Sequence, residues 1–238
     1  MDNDPALALE IDSLLNEFKP ILWGTCDTGE AEYLPDFLRS YARALAVIIP
    51  FAAPITLENY TEPLMKGLQW ETYTRMRKIS LALTALFEAK KIRYRCPPNL
   101  ESSDIDTFER KMTDVYSAKE IARRAGIGWI GRNNLLITRR YGPRLSILVL
   151  FCDGPFQGKH SEIASQCGAC QRCVENCAYG SLRGKLWEPG VTREEQIDYA
   201  SCSLNRLKWA DKIGRKGVCG KCLAACPWSS DNSQRASL

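Results

Sequence analysis

The sequence contains a single histidine, His160, among its 238 residues. Because imidazole is the usual general base beside a catalytic serine or cysteine and the commonest metal ligand, this scarcity argues against those sites. Long apolar runs are also missing, since the longest, residues 44–55, is far shorter than the roughly 20 residues that span a bilayer. The N-terminal segment MDNDPALALEIDS is acidic and lacks the apolar region of a signal peptide. We therefore expect a cytoplasmic protein that does not enter a membrane.

A strong excess of charge of one sign is absent as well. The net charge is +4, with 45% hydrophobic and 25% charged residues, which is ordinary for a globular protein of one or two domains. Such a charge permits contact with nucleic acid or an acidic partner without arguing for either. Small basic groups occur at Arg139, Arg140 and Arg144 and at Lys212, Arg215 and Lys216, but such groups are usually solvated surface, so tRNA binding is not favoured.

Cysteine, in contrast, is abundant, and eight of the eleven cysteines fall between residues 167 and 226. The first run has the spacing C-x2-C-x2-C-x3-C, and the second is a lone cysteine followed by C-x2-C-x3-C-P. A [4Fe–4S] cubane needs four converging thiolates, and in two-cluster ferredoxins the fourth cysteine of each run binds the other cluster. The pattern predicts one cluster on Cys167, Cys170, Cys173 and Cys226, and a second on Cys177, Cys202, Cys219 and Cys222.

Disulfide bonds and zinc sites are the other common uses of closely spaced cysteines. Disulfides would need an oxidising compartment, and zinc sites usually pair two C-x2-C units, which fits the 3+1 and 1+3 arrangement poorly. Two clusters are favoured, in a reducing cytoplasm, and the duplicated motif suggests a pseudo-twofold ferredoxin-like unit. The remaining cysteines, Cys26, Cys96 and Cys152, lie in or beside apolar runs and are expected to be buried structural thiols.

Hydrophobic periodicity predicts an α+β fold. Asp4 is expected to cap the first helix, and Ser117 with Glu120 has the spacing of a capping box. Met76, Ile79, Leu83 and Leu86 form a buried helical stripe. Helices are predicted at residues 5–18, 30–43, 64–91, 117–125, 171–177, 192–199, 203–212 and 223–226, and strands at 21–26, 45–51, 92–96 and 145–152.

A second informative stretch, AGIGWIGRNNLLITRRYGP, occupies residues 125–143. Its closely spaced glycines disfavour a helix interior. They would let the backbone approach a flat ligand, or they would form a tight helix-to-strand turn with Trp129 as a core residue. The residues leave both interpretations open.

Together, AGIGWIGRNNLLI and the cysteine runs ending in CGKCLAACPW resemble the epoxyqueuosine reductase family, which is related to the reductive dehalogenases. The resemblance implies a nitroreductase-like α/β sandwich domain that binds cobalamin, at residues 1–155, followed by a ferredoxin-like domain with two [4Fe–4S] clusters, at residues 156–238. It also implies that a corrinoid pocket is lined or supported by Gly128, Trp129, Gly131, Arg132, Asn133, Asn134, Leu135, Leu136 and Ile147.

The chain departs from the family pattern at three places. The family's proton-donating aspartate aligns with Met112, and the nearest acid is Asp114. The family's D-Y-H triplet is matched by Glu71, Thr72 and Tyr73, without the histidine. The chain also stops ten residues after Trp228, where the family continues into a helical segment that helps hold tRNA. Asp114 and Tyr73 are the candidate catalytic residues.

The resemblance implies a cobalamin-dependent reductase in which electrons pass through two clusters to a corrinoid that reduces a substrate. The expected electron donor is a low-potential protein such as ferredoxin or flavodoxin. Two alternatives stay open: a redox-service protein that binds or activates a corrinoid, on its own or on a corrinoid protein, and a cluster-and-flavin electron carrier. His160 is expected to be a surface residue of the linker between the domains.

Overall fold

The computed structural model describes residues 4–29, 34–96, 116–155, 163–203 and 219–230. The chain forms two compact units, each assembled from separate segments: unit 1 is Met1–Ile49, Tyr73–Ile127 and Ser146–Glu162, and unit 2 is Pro50–Thr72, Gly128–Leu145 and Ile163–Leu238. The predicted cobalamin-binding and cluster-binding domains stay predictions, because compactness alone does not reveal which ligand either part of the chain holds.

The described segments contain both helices and strands. The helices are α1 (Pro5–Asn16), α2 (Asp36–Arg39), α3 (Glu62–Ala89), α4 (Ala118–Arg124), α5 (Arg172–Glu175), α6 (Arg193–Gln196) and α7 (Lys221–Ala224), with a 3-10 turn at Pro227–Ser229. Residues 199–203 are also helical. The strands are β1 (Leu22–Asp27), β2 (Arg43–Pro50), β3 (Tyr94–Arg95), β4 (Trp129–Ile130), β5 (Leu136–Ile137) and β6 (Leu145–Cys152). The mixed helix-and-sheet class is confirmed.

Four of the strands form one sheet in the order β1-β2-β6-β3. β1 and β2 are antiparallel, with Leu22 opposite Ile48 and Asp27 opposite Arg43, and β3 is antiparallel to β6. From Ala44 onward every residue of β2 is buried, as a continuous apolar run requires. The two central strands match the predicted strands closely.

The core of unit 1 lies between this sheet and two helices. Helix α1 contributes Leu7, Ile11 and Leu15, all at most 3% exposed, and the predicted stripe of α3 packs on the same cluster. The other members include Phe87, Leu45, Val47, Ile49, Leu148, Leu150 and Cys152. Helix α4 packs against β1 and buries Ile121 and Ala122. Among the described residues, no helix has both the length and the apolar character needed to cross a membrane.

Side-chain caps fix the starts of two helices. The Asp4 carboxylate accepts hydrogen bonds from the backbone N–H groups of Ala6 (2.9 Å) and Leu7 (3.2 Å), as predicted for the cap of α1. The Ser117 hydroxyl accepts from the backbone N–H of Glu120 at 3.4 Å. The Glu120 carboxylate, however, accepts from the Arg123 and Arg124 guanidinium groups within the same helix, so the structure shows one half of the predicted box.

Several predicted boundaries were wrong. The helix expected over residues 30–43 is reduced to α2, which follows the extended Pro35 and is capped by Ser40, because Arg43 already pairs with Asp27 in the sheet. Strand β3 has two residues instead of five, and α7 begins two residues before the predicted helix 223–226 and ends before Cys226. Residues 30–33 and the predicted helical residues 204–212 lie outside the described residues.

Candidate metal centres and their supporting hairpin

All eight cysteines of the two runs lie in unit 2, and all are free thiols. Each C-G-x-C segment turns in the same way, because Gly168 and Gly220 follow the first cysteine with φ of 49° and 70°. These left-handed conformations suit glycine and curl the chain so that the next cysteine returns toward the first. Short helices follow both turns, with Cys173 on α5 and Cys222 on α7.

The first predicted ligand set lines one cavity of about 540 Å³. Cys167, Cys170 and Cys173 of the first run meet Cys226 of the second run at its wall. The other lining residues are Arg132, Asn133, Ile137, Gln166, Gly168, Ala169, Pro227 and Trp228. The structure therefore brings together the four cysteines that the spacing assigned to one cluster, including the one that crosses from the other run.

Members of the second predicted set gather around a different apolar group. Cys177, Cys202 and Cys222 pack, partly buried, on Leu182 and Ile197, and Cys173 belongs to the same group. The pKa of the Cys222 thiol is raised first by burial and then by charge repulsion from Cys219, which lies nearby. The backbone carbonyl of Cys219 accepts a hydrogen bond from the Tyr60 hydroxyl. Cys177, which belongs to the first run in sequence, therefore packs with cysteines of the second predicted set.

The chemistry of this donor set fits iron–sulfur clusters. Burial, with a smaller contribution from neighbouring cysteines, raises the pKa of Cys173 to about 11 and that of Cys226 to about 12. Positive charge within the group is therefore needed to hold these sulfurs as thiolates. In the described part of the chain, no three Cys, His, Asp or Glu side chains converge on a position for a single ion. Four free thiols that line one cavity are nevertheless the donor type that a [4Fe–4S] cluster uses.

The glycine-rich stretch forms a β-hairpin that was missed from the sequence. β4 pairs antiparallel with β5, with Trp129 opposite Ile137. The backbone N–H of Gly131 donates to the carbonyl of Leu135, and that of Asn134 donates to the carbonyl of Gly131, both at 2.9 Å. Asn134 has a φ of 58°, which asparagine tolerates better than most residues. The helix-to-strand turn considered from the sequence is thus a small sheet of its own.

Close backbone approach explains Gly128 in this hairpin. A Cβ atom at Gly128 would lie 2.2 Å from the Ile137 carbonyl oxygen, and one at Gly131 would lie 2.4 Å from Ile137 Cδ1. The obstruction at Gly128 is backbone of the opposite strand, so the hairpin requires glycine there, whereas the atoms nearest Gly131 belong to side chains, which can move.

Buried amide side chains bind the hairpin to the cysteine segments. The Asn133 side chain donates to the Cys222 carbonyl at 3.4 Å, and Asn134 Nδ2 donates to Gln196 Oε1 at 2.8 Å. Gln196, which is fully buried on α6, donates in turn to the carbonyls of Gly131 and Lys185 at 3.2 and 3.1 Å. The sequence did not single out Gln196, since a lone glutamine in a polar helix carries no distinctive signal.

Trp129 is a core residue of the hairpin, only 1% exposed. Its ring meets the ring of Trp228 edge to face, with the centroids 5.1 Å apart, in an apolar group that includes Cys226 and Cys167. The hairpin therefore packs directly against two ligands predicted for the first cluster.

Packing and hydrogen bonding within unit 2 explain most of the residues that were predicted to line a corrinoid pocket, without any ligand. The same contacts agree with a role for these residues in supporting the cysteine segments. Leu135 and Leu136 are half-buried and buried on the hairpin, and Arg132 lines the cysteine cavity. Ile147 belongs to unit 1, whereas the other eight belong to unit 2. Direct contact between these residues and a corrinoid stays a prediction.

Of the two candidate catalytic residues, the structure describes Tyr73 but not Asp114. Tyr73 lies on α3 at the start of its unit 1 portion and is 41% exposed. Thr72, in unit 2, is buried and donates its hydroxyl to the Gln69 carbonyl at 2.8 Å. Asp114 and His160 lie outside the described residues, so the predicted proton donors stay predictions.

Comparison with known proteins finds similarity to epoxyqueuosine reductases and reductive dehalogenases. No family model matches the sequence. The epoxyqueuosine reductase of Listeria monocytogenes is 36% identical over 166 residues, which is 68% of this chain and 39% of that protein. The solved epoxyqueuosine reductase of Streptococcus thermophilus matches 94% of this chain and 67% of its own length, at a TM-score of 0.59 and 17% identity.

A reductive dehalogenase whose structure was described as suggesting a mechanism for B12-dependent dehalogenation also has this fold. It matches 94% of this chain and 32% of its own length, at a TM-score of 0.66 and 16% identity. The chain spans about two fifths of the length of the curated epoxyqueuosine reductase that it matches over 166 residues. These structural matches establish the fold.

Proposed function

The chain belongs to the epoxyqueuosine reductase-like family, and from that premise we propose that it is a reductase in which two [4Fe–4S] clusters deliver electrons to a corrinoid. The family combines cobalamin and iron–sulfur chemistry and includes enzymes related to the reductive dehalogenases. The cysteines of this chain are the observation that favours the clusters, whereas the corrinoid is inferred from the relatives.

One observation carries the proposal, namely the exchange of the fourth cysteines. Cys226 of the second run lines the cavity of the first three cysteines, while Cys177 of the first run packs with Cys202 and Cys222. Zinc ribbons and disulfides give no reason for such an exchange, whereas adjacent cubanes in ferredoxins use it. The shared position of Cys173 in the second apolar group means that the two sites are neighbours.

The protein's own residues would hold the clusters and shield them from water. The Trp129–Trp228 pair and Ile137 cover the side of the first site with apolar surface. The Asn133 and Gln196 side chains fasten the hairpin to the loops that carry the ligands. A fixed, poorly solvated surrounding sets the reduction potential of a cluster and protects it from hydrolysis. A corrinoid, when bound, supplies the low-potential cobalt chemistry that the amino acids lack.

We propose as substrate a small electrophile of the kind that these relatives reduce, an epoxide in a tRNA nucleoside or an organohalide. Tyr73 and Asp114 are the proposed proton donors, since both reactions need a proton at the reduced carbon or oxygen. Electrons would come from a low-potential ferredoxin or flavodoxin.

The cluster assignment is tested by anaerobic reconstitution with iron and sulfide, followed by metal analysis and EPR of the reduced protein. Cys170→Ser is expected to lose or convert one cluster and to lower the iron content by up to half. Cys96→Ser is the matched control, because this half-buried thiol of unit 1 lies outside both runs, and it should keep the full content. Equal iron contents in the two variants would contradict the assignment.

The reductase assignment is tested with the reconstituted wild-type chain, hydroxocobalamin and a low-potential reductant. We expect corrinoid absorption bands to stay with the protein on gel filtration, and reduction of an epoxyqueuosine-containing stem-loop or an organohalide. Retained bands without turnover of either substrate would favour the redox-service alternative. Loss of the bands would leave an iron–sulfur protein and refute the corrinoid proposal.

A further inference from the structure

We propose that Arg132 sets the reduction potential of the cluster held by Cys167, Cys170, Cys173 and Cys226. The family resemblance places this residue at the corrinoid pocket, but its hydrogen bonds in unit 2 go to the carbonyls of Gly168, in the first cysteine loop, and Gly184. The inference rests on the proposed presence of the cluster, and it assigns Arg132 a positioning and electrostatic role toward that group.

Arg132 lies in the wall of the cavity that the four cysteines line. Its Nη2 donates to the carbonyl of Gly168 at 2.7 Å, inside the turn between Cys167 and Cys170. Its Nη1 donates to the carbonyl of Gly184, which follows the bridge between Leu182 and Ile197. One guanidinium thus joins the ligand loop of the first site to the segment that packs on the second.

The third nitrogen of the guanidinium is the more informative one. Arg132 Nε is buried, and within the described residues it has no hydrogen-bond partner. An unmet buried N–H is unfavourable, so this donor calls for a further acceptor beyond the described residues. Thiolate and sulfide sulfurs of a cluster in this cavity would be acceptors for this donor.

Charge and hydrogen bonding act on the potential in the same direction. Reduction adds an electron to the cluster, so a nearby positive charge and an N–H donor stabilise the reduced form more than the oxidised form. Arginine stays protonated at any accessible pH, and only its planar fork can bind two carbonyls while offering a third N–H. Removing this group should therefore lower the reduction potential of the first cluster.

The test is an EPR-monitored redox titration of the reconstituted chain and of Arg132→Gln, Arg132→Lys and Arg183→Gln. Arg183 is the matched control, because it is an exposed arginine of the same unit beside Gly184. We expect Arg132→Gln to lower the reduction potential of the cluster that Cys170→Ser perturbs. At a fixed potential, the ratio of reduced to oxidised cluster should fall at least tenfold, which corresponds to about 59 mV for a one-electron couple. Arg132→Lys, which keeps the charge, should shift less, and Arg183→Gln should not shift.

Each outcome separates this inference from the proposed function. Iron and sulfide analysis of the wild type first establishes whether clusters are present, and their absence would refute the proposed function itself. With clusters present, a shift confined to the other cluster, or equal shifts in Arg132→Gln and Arg183→Gln, would overturn the role of Arg132. If Arg132→Gln fails to hold the cluster, the redox titration of Arg132→Lys tests the proposal instead. A reduction potential equal to that of the wild type in Arg132→Lys would contradict the proposed effect of the Arg132 hydrogen bond.

Discussion

Gly128→Ala should destabilise the protein by obstructing the hairpin. Gly128 is buried, and an added Cβ would lie 2.2 Å from the Ile137 carbonyl oxygen and 3.0 Å from its carbon. Ordinary contacts of a Cβ begin near 3.4 Å, so β5 would have to retreat by about 1 Å. Both obstructing atoms belong to the backbone of a paired strand and cannot rotate away.

The magnitude follows from this rigidity. Inserting an extra carbon into a packed region costs about 1–3 kcal/mol, and more where the surroundings cannot adjust. Because the retreat of β5 would also disturb the pairing of Trp129 with Ile137, we expect a loss near the upper end, about 3 kcal/mol. For a chain of this size, that loss lowers Tm by about 6–12 °C.

Urea and thermal denaturation under anaerobic conditions measure the effect, with Gly67→Ala as the matched control. Gly67 is exposed on α3, and a Cβ there meets no atom within 4 Å. This variant should be more stable than wild type by about 1 kcal/mol, since alanine is the better helix former. A Gly128→Ala protein as stable as wild type that had lost only corrinoid binding would refute the packing explanation and favour clearance for a ligand.

Two further predictions concern buried polar groups and thiols. Asn134→Ala should lower the unfolding free energy by about 1–3 kcal/mol, because fully buried Gln196 loses a donor and alanine disfavours a φ of 58°. A double-mutant cycle with Gln196→Ala measures the coupling, and strictly additive losses would contradict the contact. Burial raises the pKa of both Cys26 and Cys152 from 9 to about 12. Since the folded pKa exceeds the unfolded one, this contribution to stability is full below pH 9 and is lost as pH rises toward 12. Iodoacetamide at pH 8 should therefore spare both thiols in the native protein and label them in urea; labelling of the native protein would contradict their burial.

Unit 1 could be predicted well where local patterns and packing agree. The spacing of Met76, Ile79 and Leu83 has one physical solution, a helix with a buried stripe, and the structure places that stripe in the core. The continuous apolar run of β2 likewise needs cover on both faces. Residues 36–43 illustrate the opposite case, because sheet pairing of Arg43 with Asp27 overrides a weak local preference for helix.

The structure of unit 2 was harder to predict from the sequence, because its contacts connect segments that are far apart in the chain. The cysteine spacing predicted which four residues meet at the cavity, because cluster chemistry limits the choices. It did not predict the hairpin, whose strands have two residues each and leave no periodic signal. The link from Asn134 to Gln196 crosses 62 positions of sequence and involves residue types with no distinctive spacing.

The hairpin also changes what the glycine-rich stretch implies. Gly128 is required by strand β5, the Asn133 side chain holds the Cys222 carbonyl, and Trp129 packs beside Cys226. A sequence that conserves cluster geometry in this fold would need these residues whether or not a corrinoid were bound. The stretch therefore supports the clusters more strongly than it supports the corrinoid. The hydrogen bond from Arg132 to the Gly168 carbonyl, in the first cysteine loop, agrees with this conclusion. The corrinoid proposal rests accordingly on the relatives, while the cluster proposal rests on this chain's own geometry.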